Sequence, residues 1–124
     1  MVNHTLFWLD FYLDDSPENF KPPEPFGLEE LDPSGAVPPR PYTKEEMLNY
    51  LKYGRNKCRE KIKNLTETSA SRPYKFGNVN LTFGELLLYN MRHVQHHTAQ
   101  LNMILRREID DAPGWSFTAR EDLY

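Results

Sequence analysis

Eight of the ten prolines of this 124-residue chain fall between Pro17 and Pro41. Proline lacks a backbone N–H, clashes with the preceding turn of a helix and pushes its neighbour out of the helical region. No long helix can therefore cross residues 15–42, and the chain divides into a short stretch before that segment and a longer body after it. Phe20, Phe26, Leu28 and Leu31 punctuate the prolines, which suits an ordered loop pinned on a helical body; a disordered linker is the alternative. Residues 1–14 carry Leu6, Phe7, Trp8, Leu9, Phe11, Tyr12 and Leu13. With apolar residues at nearly every position, periodicity alone fits a short helix or a strand.

The body opens with two helix-start signals. Thr43 followed three residues later by Glu46 forms a capping box, and Pro41 precedes it harmlessly. Met47, Leu48, Leu51, Cys58, Ile62 and Leu65 then recur at three- and four-residue spacing, predicting a helix over 43–66 with most of its lysines, Lys57 and Lys61 included, facing water. A polar loop containing Pro73, Gly77 and Asn78 follows. Thr82 and Glu85 form a second capping box, which opens a helix over 82–108. Its stripe is Phe83, Leu86, Leu87, Val94, Leu101, Ile104 and Leu105, and Arg106 and Arg107 suit its negative end. Residues 109–124 form a tail in which Trp115–Arg120 can fold back on the body. The pattern predicts one all-α domain of antiparallel amphipathic helices.

Composition bounds the function. Net charge is −3, so there is no basic field to wrap a nucleic-acid backbone. Mean hydropathy is −0.72 and no apolar run reaches the ~18 residues of a membrane span. Aromatics make up 13% of the chain, too many for a disordered tail. Cys58 is the single cysteine, so no internal disulfide forms. The N-terminus lacks the basic region and cleavage site of a signal peptide. The expectation is a cytoplasmic protein whose three Asn-x-Thr sequons, at Asn3, Asn64 and Asn80, are chance.

The histidines carry the chemistry. At about 100° per residue, His93 and His97 lie on one helix face, at the flank of the apolar stripe, while His96 points away. Two imidazoles at this spacing can share a metal ion, or can simply sit on a helix surface making ordinary hydrogen bonds. His4 is the remaining candidate for a third ligand. Trp8, Tyr12, Tyr89 and Asn90 are candidates for shaping a pocket or for plain packing; Arg92 suits an acidic substrate or an exposed salt bridge. Cys58, mid-stripe beside Leu51 and Ile62, reads as core and not as a nucleophile.

The run Leu86–Arg106, with His93, His97 and then Gln100, resembles the last helix of the DinB-like superfamily. The beginning, Asn3–Leu13, is similar to the end of that family's second helix, where the remaining metal histidine sits; Pro41–Glu46 and Gly114-Trp115 resemble one subgroup. The resemblance spans nearly the whole chain. It implies a four-helix bundle holding a divalent transition metal (zinc, nickel or iron) on His4, His93 and His97, with open positions for water or substrate. It further implies a metal-dependent enzyme of the thiol-transferase type using a low-molecular-weight thiol, with no catalytic acid or base carried over and no assigned reaction. The family bundle has a full helix and most of another before the residue matching His4, so the expectation is either an N-terminally truncated bundle or one whose missing half is supplied by a partner, such as a second copy in a homodimer. Without that supporting half, His4 is expected on a fraying end. Two other readings stand beside the enzyme: a non-catalytic bundle whose metal is structural, and an interaction module pairing through an exposed aromatic strip, Leu6–Leu13.

Overall fold

Thr43 and Thr82 start the two long helices as their capping boxes require. The Thr43 hydroxyl accepts from the Glu46 N–H at 3.2 Å while Glu46 Oε2 accepts from the Thr43 N–H at 2.7 Å; Thr82 and Glu85 repeat the exchange at 3.3 and 2.8 Å. In the computed structural model, which describes residues 1–118, the elements run α1 (Val2–Tyr12), α2 (Lys44–Lys63), a single-turn α3 (Glu67–Ala70), β1 (Pro73–Phe76), β2 (Val79–Thr82) and α4 (Phe83–Ile109). Two 3-10 turns, Pro17–Asn19 and Glu29–Leu31, interrupt the proline-rich segment. Among the described residues no helix is long and apolar enough to cross a membrane.

The first segment is a helix, and its near-continuous apolar character has a physical cause: α1 lies between α2 and α4, which hardly touch each other. A helix covered on several sides has no broad wet face to give its sequence a period. Leu6, Phe7, Phe11, Tyr12 and Leu13 are all buried, so the aromatic strip expected to be exposed is instead the middle of the core. Pairs along α1 and α4 run in opposite senses, His4 meeting His93 and Tyr12 meeting Tyr89. Pairs along α1 and α2 ascend together, from Leu6 beside Tyr50 to Asp10 beside Lys57. These helices are therefore parallel, not antiparallel as expected, because the long proline segment carries the chain back before α2 begins.

That segment is ordered. The Phe20 ring sits 5.4 and 5.1 Å from those of Phe7 and Phe11, Phe26 stacks on Tyr50 at 4.2 Å, and the Glu24–Pro25 peptide is cis. The linker reading is thereby excluded.

An all-α fold is corrected by a two-stranded antiparallel hairpin in what read as a polar loop. Gly77, at φ 53°, takes the first position of its two-residue turn, where a positive φ matches the twist of the strands. Tyr74, buried, and Phe76, Val79 and Leu81, partly buried, pack on the aromatic core, which explains why the hairpin folds down. The helix expected over 43–66 ends at Lys63, with α3 a separate turn capped by Thr66 and Ser69. The α2 stripe is only partly used: Leu51 and Cys58 are half-buried, whereas Leu48, Ile62 and Leu65 are exposed. Lys57 turns inward instead of facing water, pairing with the fully buried Asp10 at 2.6 Å and with Asp14 at 2.9 Å, whereas Lys61 pairs at the surface with Asp15. On α4, Met91, Ile104, Leu105 and Ile109 are exposed, so the described helices do not close a four-helix core. The tail does not fold back, with Trp115 at 77% and Phe117 at 91% exposure; Arg120, and all of 119–124, lie outside the described residues.

Candidate metal centre

The antiparallel crossing of α1 and α4 brings His4, His93 and His97 together. Their Nε2 atoms converge, His93 to His4 at 3.3 Å and His97 to His93 at 3.2 Å, and one potential ligand atom from each of the three lies within 4.8 Å of the others. A tetrahedral ion with nitrogen ligands at about 2.0–2.1 Å holds its donors about 3.3 Å apart. The observed spacings match that edge length.

The outer ring nitrogens fix which atoms face inward. His4 Nδ1 lies 2.6 Å from Glu30 Oε2, and His97 Nδ1 lies 2.7 Å from Gln100 Oε1. Carboxylate and amide oxygens only accept, so each Nδ1 carries the proton and each Nε2 presents a lone pair to the centre. His93 Nδ1 is buried without a partner. Burial, and then the neighbouring His97, His4 and His96, push the pKa of His93 down to about 4, so it is neutral at pH 7, the form that ligates metal. His93, with no outer acceptor at Nδ1, can carry its proton on Nε2 and donate to His4 or His97, a proton that a cation at the centre displaces.

Around the site, Tyr12 and Tyr89 stack edge to face at 5.4 Å, and Tyr12 meets His93 at 6.5 Å. Burial first, and then hydrogen bonding with Tyr89, raise the Tyr12 pKa, so its phenol stays protonated and cannot serve as a base near neutral pH. Asn90 is buried and donates from Nδ2 to the Leu9 carbonyl at 3.0 Å, a tether between helices and not merely packing. Trp8 Nε1 donates to the same Glu30 oxygen at 3.3 Å. A cavity of about 450 Å³ opens beside His93, lined by Tyr89, Arg92, Gln95, His96 and Ala99. Arg92 lies over the Tyr89 ring at 6.0 Å, and His96 is exposed as expected. Cys58 is on α2, which contributes nothing to the cluster, and burial raises its thiol pKa. His4 is seated against Glu30 and Trp8, not left on a fraying end. Glu30 gave no signal, since its place among prolines carries no period; Gln100, three residues after His97 on the same helix, entered only through the family resemblance.

The scaffold and the cluster define a class: a predominantly helical protein with a three-histidine centre compatible with metal binding and, among the described residues, no fourth side chain in the cluster. The model of the DinB superfamily matches residues 1–101, and the chain belongs to that superfamily. No curated protein and no solved structure matches it.

Proposed function

We propose that this protein binds one divalent transition ion through the Nε2 atoms of His4, His93 and His97 and uses it in a small-molecule reaction of the thiol S-transferase type. The observation that carries this reading is the inward convergence of three imidazole nitrogens at metal-ligand spacing, two of them held in the ligating tautomer by outer acceptors. Zinc, nickel and iron all suit imidazole donors. The chemistry such an ion supplies is Lewis acidity, which lowers the pKa of a thiol or water at its open positions toward neutrality. The rest falls to the chain. Tyr12 and Tyr89 wall the site with aromatic rings, and the Tyr12 hydroxyl stays neutral. The cavity beside His93 admits a molecule of modest size, and Arg92 offers a cation to an anionic group on it. With three ligands and, among the described residues, no fourth, the cluster favours an open centre over the closed four-ligand arrangement of a structural metal.

The test is metal content per chain in protein purified without chelator. Wild type and His96→Ala are expected to hold near one ion per chain and His97→Ala to hold little. Stoichiometric metal in His97→Ala overturns the assignment of the site. Loaded protein is then expected to accelerate consumption of a low-molecular-weight thiol with an activated electrophile, and the His97→Ala variant is not.

A further inference from the structure

The proline-rich segment brings a carboxylate to the one histidine of the cluster that α4 does not carry. His4 stands on α1 and reaches the cluster from that helix alone. Its neighbours in the cluster stand near the middle of the 27-residue α4. Glu30, in the turn Glu29–Leu31, places Oε2 2.6 Å from His4 Nδ1 and 3.3 Å from Trp8 Nε1. That turn is not free to swing. Leu31 packs against the aromatic core, and Phe26 is seated on Tyr50 a few residues earlier. Trp8 is itself fixed between Phe11 and Tyr12, each ring 5.3 Å away, so the second donor to Glu30 is also rigid.

We infer that Glu30 is a positioning residue for His4: its carboxylate holds the imidazole in the Nδ1–H tautomer with Nε2 toward the cluster, and the proline-rich segment is the strap that delivers it. The consequence for metal affinity rests on the reading above of His4 as a ligand; the tautomer does not. The three imidazoles have unequal outer partners: His4 a carboxylate from another segment, His97 a neutral amide from its own helix, His93 none. An anionic acceptor raises the basicity of a ligating imidazole more than a neutral one, and loss of such a partner costs about 10–100-fold in metal affinity. The strap therefore sets how tightly the ligand from α1 engages.

The experiment uses the full chain with Zn²⁺ as the probe, titrated against a chromophoric chelator, alongside ¹⁵N NMR of the histidine rings in metal-free protein at pH 8. Glu30→Leu is expected to weaken Zn²⁺ binding about 10–100-fold and to move His4 away from the Nδ1–H form. Glu30→Gln, which keeps an acceptor but not the charge, is expected to fall between Glu30→Leu and wild type on affinity while keeping the tautomer. If Glu30→Leu fails to fold, Glu30→Gln and the wild-type ring spectrum still decide the matter. A wild-type spectrum with His4 protonated on Nε2, or variants that bind as tightly as wild type, overturns the role of Glu30 and leaves the metal reading intact. Absence of Zn²⁺ binding in wild type overturns the metal reading and the affinity role built on it.

Discussion

At the scale of single residues, Asn90 shows how a polar side chain sets the geometry of a site it does not enter. Its Nδ2 donates to the Leu9 carbonyl, in the last turn of α1, where carbonyls have begun to lose their intrahelical partners: the Leu13 N–H bonds to Asp10 and not to Leu9. One turn further along α4 stands His93, so this bond fixes the register that brings His4 within 3.3 Å. Replacing Asn90 by leucine keeps the volume and deletes the bond, leaving a buried carbonyl unpaired at a cost of about 1–2 kcal/mol. Urea unfolding of the metal-free protein is expected to show that loss. Unchanged stability would mean that Asn90 merely fills space. The sequence offered Asn90 only as a candidate for shaping a pocket or for plain packing, because a tether between segments 81 residues apart has no local signature.

Among elements, the start of α2 is held by charge. Arg40 donates from both terminal nitrogens to the Glu46 carboxylate, at 2.9 and 2.6 Å, and Glu46 also accepts from the Thr43 N–H. The Arg40 hydrogen bonds first, and then the backbone bond, lower the Glu46 pKa from 4.5 to about 2. A carboxyl group whose folded pKa is depressed contributes stability above its unfolded pKa and loses it as pH falls toward the folded value. The contribution of Glu46 is therefore complete above about pH 4.5 and fades toward pH 2. Glu46→Gln is expected to have a lower urea midpoint than wild type at pH 6, and the gap is expected to narrow by pH 3. A gap that is constant with pH would show that shape, not charge, matters here. Both long-helix starts were legible because a capping box is a local pattern. The hairpin was not read, although Tyr74, Phe76, Val79 and Leu81 alternate around Gly77-Asn78, because the polar and turn residues between 73 and 82 masked two strands of four residues each. The parallel course of α2 depends on where the proline segment leads, which composition cannot say. Gly54 in α2 is where Leu9 approaches: a Cβ there would lie 3.1 Å from Leu9 Cδ2.

For the whole molecule, α1 is gripped at one end and open to reinforcement at the other. Near its C-terminal end, Phe11 and Tyr12 sit in the cluster that includes Phe20, Tyr74, Phe83 and Leu86, and Asp10 is locked to Tyr50 and Lys57. Near its N-terminal end α1 meets α4 through the imidazole contacts, which a bound cation would replace with metal–nitrogen bonds. An ion bound there links the first turn of α1 to the middle of α4 across 89 residues of sequence. Because the unfolded chain does not assemble the three ligands, binding stabilises the fold by RT ln(1 + [L]/Kd), about 2.7 kcal/mol at a hundredfold excess over Kd. For a chain of this size that corresponds to a rise in Tm of roughly 10 °C. Zn²⁺ is expected to produce this shift in wild type and in His96→Ala, a chelator to reverse it, and His97→Ala to show little. Hydrogen exchange is expected to slow most in the first two turns of α1, since the other end is already held by packing. An equal Tm shift in wild type and His97→Ala would place the ion on the surface instead, with the three converging nitrogens playing no part in holding the helices together.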